Sequence, residues 1–200
     1  MSKLITYLRK IALGRIEVIC GSMFSGKTEE LIKRIRKSYK SYKVFKPKTD
    51  TRNKKNKIVS HGKIEIEATT IGDASEILND MGKFDVIGID EAQFFTNDIV
   101  QVCNTLANDG VRVIVAGLDM DFSGKPFGPM PFLMAIAEDV TKVHAKCSET
   151  GGPAMYSYRK VENSDTVMIG EKKEYKPLSR KAFVSKMKKK YLFEFSRDIH

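Results

Sequence analysis

The sequence predicts an α/β fold: a parallel sheet flanked by helices, followed by a small C-terminal domain. Three observations predict it. Short, predominantly apolar runs at residues 16–20, 86–89 and 111–116 read as strands buried on both faces. Stretches with apolar residues at helical spacing, 28–40 and 99–108, alternate with them. The first run leads directly into a glycine-containing segment that opens the first helix.

Taken in order, residues 16–20 (Ile-Glu-Val-Ile-Cys) are β-branched and end at glycine, so they form a strand. A helix begins around Lys27, with Leu31, Ile32 and Ile35 on one face. Residues 43–46 form a second strand, stopped by Pro47. Residues 49–62 are polar, basic and nearly free of apolar side chains, which predicts a mobile surface loop. Residues 64–68 alternate polar with apolar, and 73–78 read as a helix capped by Asp73. The strand at 86–89 follows, then the helix at 99–108 ended by Gly110, then the strand at 111–116. The pattern changes from about residue 143. Thr150-Gly-Gly-Pro153 breaks the chain, short alternating segments follow, and Lys186 begins a basic tail. The expected division is a larger α/β domain at 1–142, a small domain at 143–185 and a tail at 186–200. No internal repeat is visible.

The 200 residues carry 42% hydrophobic and 30% charged side chains, enough apolar content to bury a core and to exclude wholesale disorder. The net charge of +10 is local. Residues 31–63 carry thirteen Lys/Arg against Asp50 alone, and residues 171–200 carry ten against four acids, so the remainder is acidic. Solvated faces explain such blocks; attraction to phosphate is the sharper reading. No apolar run is long enough to span a membrane. The opening residues have no small-residue cleavage site and do not read as a signal peptide. Cys20, Cys103 and Cys147 form neither a disulfide framework nor a complete zinc site, so a reducing cytoplasm is expected.

Gly21, Ser22, Met23, Phe24, Ser25, Gly26, Lys27 and Thr28 match the phosphate-loop pattern G-x-x-x-x-G-K-[ST], between a strand and a helix as that pattern requires. The glycines let backbone N–H groups turn toward phosphate oxygens, and the helix N-terminus adds a favourable dipole. Lys27 is placed to bridge the β- and γ-phosphates, and Thr28 to offer its hydroxyl to Mg²⁺. The strand at 86–89 delivers Asp90 and Glu91 at its carboxyl end, the edge where ligands of parallel sheets collect. An acidic pair after a strand is often a helix cap. Downstream of a phosphate loop it reads instead as a Mg²⁺ carboxylate, Asp90, beside a base for an attacking hydroxyl or water, Glu91. Together the two motifs predict that residues 1–142 form a P-loop nucleotide-binding domain.

Beyond these motifs, Asp90-Glu-Ala-Gln-Phe-Phe95, Gly117-Leu-Asp-Met-Asp-Phe122, Lys125-Pro-Phe-Gly128, Asp50-Thr-Arg52 and Val167-Met-Ile-Gly170 with Tyr175 resemble the thymidine kinases of the cellular, tetrameric type, from about residue 15 to 183. The resemblance implies ATP and thymidine as substrates, with deoxyuridine as a candidate second acceptor, and a homotetramer serving thymidine salvage for DNA synthesis. It implies that Glu91 is the general base on the 5′-hydroxyl and that Arg52 steadies phosphate or the attacking oxygen. Gln93 joins the phosphate loop and Asp90 as a nucleotide-binding residue, and Asp50 joins Arg52 at the substrate. Met23, Phe94, Leu118 and Phe122 wall the base pocket, although core packing explains such side chains equally well. Ser157 stands where the family has a threonine beside the base, with Arg159 two residues on. Tyr175, Met168 and Gly170 belong to the lasso loop that grips the nucleoside.

One departure is clear. The family's structural zinc is held by two Cys-x-x-Cys pairs, which here read Cys147-Ser-Glu-Thr150 and Ser179-Arg-Lys-Ala182. A lone thiolate cannot build a four-cysteine shell, so structural zinc is expected to be absent. His144, His61 and His200 read as packed or solvated side chains. The competing readings are a nucleic-acid-dependent ATPase and a family member that binds nucleotide without catalysis. Against the first stand the short chain and the lack of aromatic–basic alternation. Against the second stand intact Lys27, Thr28, Asp90 and Glu91.

Overall fold

A computed structural model describes residues 13–50, 56–60, 62–160 and 174–197, with side chains described to 188. Its centre is a six-stranded parallel sheet in the order β5-β2-β6-β7-β1-β8. In chain order these are β1 (Arg15–Cys20), β2 (Tyr42–Pro47), β5 (Thr69–Ile71), β6 (Val86–Ile89), β7 (Arg112–Gly117) and β8 (Asp139–Lys142). The alternation of each buried strand divides its side chains between two cores. Ile16, Val18, Ile87, Ile89, Val113 and Val115 pack with Ile99, Cys103 and Leu106 of α2 (Asp98–Asn108) and with Met130 and Leu133 of α3 (Met130–Ile136). Ile19, Val44, Val86, Ile114 and Ala116 pack on the opposite face with Leu31, Ile32 and Ile35 of α1 (Lys27–Lys37). The predicted two-sided burial is therefore what the strands do. Gly88 permits the close approach of α1, since a Cβ there would lie 2.6 Å from Ile35 Cδ1.

The elements differ from expectation where local polarity hid a tertiary contact. The expected loop at 49–62 contains β3 (Lys57–Val59), paired antiparallel with β4 (Glu65–Glu67). Ile58 and Ile66 are buried in the core under α1, so one apolar residue per short strand suffices to dock the hairpin. Residues 51–55 and His61 lie outside the described residues. The segment after Asp73 is a 3₁₀ helix, Ala74–Asp80, closed by a capping box with Glu76. α3 and β8 were not expected. β8 alternates half-buried and exposed positions at the sheet edge and carries no apolar run.

After β8 the chain forms two small antiparallel pairs, β9 (Ala145–Lys146) with β10 (Pro153–Ala154) and β11 (Tyr156–Arg159) with β12 (Tyr175–Leu178). α4 (Arg180–Arg197) follows and continues through residue 186, where a tail was expected. Tyr156 stacks on Phe183 at 4.4 Å between ring centroids, and Ala145, Cys147, Ala154, Leu178 and Ala182 complete a separate core.

A buried charge cluster ties the sheet together away from the carboxyl edge. Glu17 of β1 accepts from Arg112 of β7 at 2.7 and 3.0 Å and from Arg34 of α1 at 3.0 Å. Burial acts to raise the Glu17 carboxyl, but Arg112, Arg15 and Arg34 outweigh it and hold it below its ordinary value.

Candidate active site

Because all six strands are parallel, the phosphate loop after β1, the acidic pair after β6 and the loop after β7 emerge at one edge. β7 lies between β1 and β6, yet the two motifs touch. Thr28 Oγ1 donates to Asp90 Oδ2 at 3.1 Å. Gly26 takes φ 86° and Phe24 φ 65°, turning the loop tightly before α1 begins. No side chain caps α1, so its first N–H groups face the loop. The Lys27 ammonium donates to the Ser22 carbonyl at 2.8 Å within the same loop. At Gly21, φ 146°, a Cβ would lie 2.1 Å from the Val143 carbonyl oxygen, so the loop rests directly on the chain leaving β8.

Glu91 is buried and in the left-handed region at φ 53°. A short 3₁₀ turn, Ala92–Phe94, follows it and swings Gln93 back toward the carboxylate. Gln93 Nε2 donates to Glu91 Oε2 at 2.6 Å, and Gln93 Oε1 accepts from the Leu118 N–H at 2.9 Å. Gln93, expected among the nucleotide contacts, is thus engaged with the candidate base and with β7's edge.

The small C-terminal unit docks on the phosphate loop. The Met23 N–H donates to Ser157 Oγ at 2.9 Å, and the Ser22 hydroxyl donates to the Ala154 carbonyl at 3.2 Å. The Arg159 guanidinium lies 3.5 Å from the centroid of the Phe122 ring. Arg159 also pairs with Tyr175 across β11 and β12 and hydrogen bonds to it. Burial raises the Tyr175 hydroxyl above its ordinary value against the pull of Arg159. Phe94 packs edge-on against Phe127 at 5.7 Å. The structure therefore gathers Met23 with Ser157, Glu91 with Leu118 through Gln93, and Phe122 with Arg159 and Tyr175. Asp50 instead faces Lys46, with Lys46 Nζ 3.9 Å from Asp50 Oδ2. Arg52, Met168 and Gly170 lie outside the described residues.

Two features of the edge were not anticipated. Lys46, at the end of β2 beside β6, is 0% exposed. Its signal was a lysine interrupting an apolar strand, which reads equally as a surface position. Asp119 is buried and pairs with Lys142 at 2.6 Å, while its Oδ1 has no hydrogen-bond partner among the described residues. Beneath the loop, burial and Asp119 raise the Cys20 thiol.

The donor set near Thr28 and Asp90, a hydroxyl beside a carboxylate, suits a hard divalent cation such as Mg²⁺. At the four positions aligned with the family's zinc ligands, Cys147 Sγ accepts from the N–H groups of Thr150 at 3.4 Å and Ser179 at 3.2 Å. Burial acts to raise this thiol, but the Thr150 hydroxyl and the N–H groups of Ser179, Glu149 and Thr150 bring it down to about 6. No group of three or more His, Cys, Asp or Glu side chains gathers as a metal shell among the described residues.

Comparison with known proteins bears on this geometry. The family model described as thymidine kinase matches residues 14–183. A thymidine kinase of Bacteroides fragilis is 53% identical over 173 residues, covering 85% of this chain and 87% of its own. A thymidine kinase of Porphyromonas gingivalis is 52% identical over 176 residues, covering 86% of each chain. The X-ray structure of the ATPase DotB from Legionella pneumophila matches 68% of this chain and 37% of its own, at 14% identity and a TM-score of 0.37, too slight a likeness to argue from.

Proposed function

The chain belongs to the thymidine kinase family, and from that premise we propose how its residues transfer a phosphate from ATP to the 5′-hydroxyl of thymidine. The observation that carries the assignment of roles is the convergence of Thr28, Asp90 and the Glu91–Gln93 pair at one sheet edge. The phosphate-loop N–H groups and Lys27 bind the triphosphate, Lys27 leaving the Ser22 carbonyl for the β- and γ-phosphates. Thr28 and Asp90 hold Mg²⁺, which neutralises charge on the phosphates when bound. Glu91 accepts the proton of the 5′-hydroxyl. Met23, Phe94, Leu118, Phe122, Ser157, Arg159 and Tyr175 shape the nucleoside side, and Arg52, Met168 and Gly170 join them on the strength of the family resemblance. The catalytic power is positioning and charge dispersal, with no covalent intermediate.

Deoxyuridine as a second substrate, a homotetramer and a cytoplasmic location follow from the same family reading. The change of sequence pattern near residue 143 supports a nucleotide-binding domain at 1–142 and a lasso domain at 143–185, and Thr150, Ser179 and Ala182 in place of cysteines support the absence of structural zinc. The described residues include no helix long and apolar enough to cross a membrane. The test is phosphorylation of the four deoxynucleosides by purified protein with ATP and Mg²⁺, repeated with Glu91→Gln. Thymidine is the expected acceptor, and Glu91→Gln lowers kcat by about 10²-fold or more while ATP binding persists. Turnover within a few-fold of the parent removes Glu91 from the role of base.

A further inference from the structure

We infer that Gln93 is a positioning residue for the phosphoryl transfer: its side-chain amide orients the Glu91 carboxylate and ties it to the wall of the nucleoside pocket. The inference rests on the reading of Glu91 as base. Gln93 Nε2 donates to Glu91 Oε2 at 2.6 Å while Oε1 accepts the Leu118 N–H at 2.9 Å. A primary amide is suited to this place, because it donates to a carboxylate at one end and accepts from a backbone amide at the other. Its orientation is set by those partners, since the reversed amide would turn its carbonyl toward the carboxylate.

The surroundings leave Gln93 little room to shift. It is 2% exposed. A Cβ at Gly117 would stand 2.9 Å from Gln93 Oε1, and one at Gly128 would stand 2.4 Å from its backbone oxygen. The end of β7 and the loop before α3 therefore both approach this residue through glycine. Glu91 itself sits at φ 53°, a backbone state that persists only where its surroundings over-determine it. The 3₁₀ turn at Ala92–Phe94 and the Gln93 amide are two such determinants. Leu118 follows Gly117, the last residue of β7, so one amide connects the proton acceptor after β6 with the pocket wall after β7. A base held from both strands stays aimed as the nucleoside presses on Leu118, and small misplacements of a reacting group cost large factors in rate.

The test is a double-mutant cycle on the full chain. Gln93→Met keeps the volume and removes both polar contacts; Gln93→Asn keeps an amide one methylene too short to span them. Each is made alone and in the Glu91→Gln background, with kcat, thymidine KM and Tm measured. Gln93→Met is expected to lower kcat by about ten- to a hundredfold with thymidine KM within about threefold. In the Glu91→Gln background it changes kcat by less than about twofold, because a residue acting through Glu91 has nothing left to orient. Equal losses in both backgrounds assign Gln93 a merely structural role and overturn the inference while Glu91 stays the base. Near-parent turnover of Glu91→Gln alone removes the base and the inference with it. If Gln93→Met fails to fold, the same cycle is read with Gln93→Asn.

Discussion

Replacing Ser157 by alanine tests whether the phosphate loop and the C-terminal unit work as one body. Ser157 is buried on β11, and its hydroxyl accepts the Met23 N–H at 2.9 Å. Met23 belongs to the phosphate loop, whose docking is otherwise shared by the Ser22 hydroxyl on the Ala154 carbonyl at 3.2 Å. The substitution strands a partly buried N–H, which costs about 1–2 kcal/mol. At about 1.4 kcal/mol per decade that is roughly 5- to 30-fold in the population of the docked loop. The cost falls on the loop assigned to ATP as well as on the β-strand assigned to the nucleoside. Both the ATP and the thymidine constants should therefore weaken together, by up to that factor, in steady-state kinetics with each substrate varied. Ser157→Thr, which retains the acceptor oxygen, should stay close to the parent. An unchanged ATP constant with only thymidine affected would refute the coupling and leave Ser157 a local pocket residue.

The remaining predictions concern stability. Glu17→Gln breaks a carboxylate shared by three arginines and should cost about 3 kcal/mol in denaturant unfolding, the low end of the buried-pair range because Arg15 and Arg112 remain 51% and 31% exposed. Since the folded carboxyl lies below its ordinary value, its contribution is present above the unfolded carboxylate value and is lost as pH falls through the folded one. Acid titration of Tm should accordingly narrow the gap between parent and variant; a gap constant into acid would contradict this. The Cys147 thiol, held at about 6, releases its proton earlier when folded than when unfolded, so it stabilises the fold increasingly from about pH 6 upward. The Tm difference between parent and Cys147→Ser should widen from pH 6 to pH 8, and a pH-independent difference would exclude a thiolate there. The purified protein should also hold substoichiometric zinc, with a Tm indifferent to chelator, because three of the four aligned ligand positions carry no thiol. One tightly held zinc per chain would refute that.

What the sequence made legible was whatever has a strong local signature. Apart from the ion-paired Glu17 and Arg112, residues 16–20, 86–89 and 111–116 send apolar side chains into both cores because helices cover both sides of the sheet, so the central strands were readable without any tertiary knowledge. β3 and β8 were not, since β3 is three residues long within a basic, polar stretch, with Ile58 its buried anchor, and β8 has one apolar residue in four. Their pairing is decided by neighbours distant in sequence, which no window of residues reports. The helix that continues past residue 186 was hidden for a related reason. Lysine is a good helix former, yet a run of lysines reads as a solvated tail unless something anchors the helix start, here Phe183 against Tyr156.

The site divides along the same line. The phosphate loop and the Asp90–Glu91 pair are contiguous patterns whose chemistry is implied by residue type and spacing, and Thr28 meets Asp90 as those patterns require. The groups that aim them are not contiguous with what they aim. Gln93 was visible as part of Asp-Glu-Ala-Gln, but its second partner is a backbone N–H after β7, and its confinement comes from one glycine at the end of β7 and another in a separate loop. Ser157 and Met23 are likewise joined only by folding. Reactive groups can be named from their chemistry, whereas their orientation depends on hydrogen bonds that cross between strands β6 and β7 or between the two units of the chain. The double-mutant cycle on Gln93 and the paired constants of Ser157→Ala probe those crossings, where substitutions should change how well the reactive groups are aimed without changing which groups react.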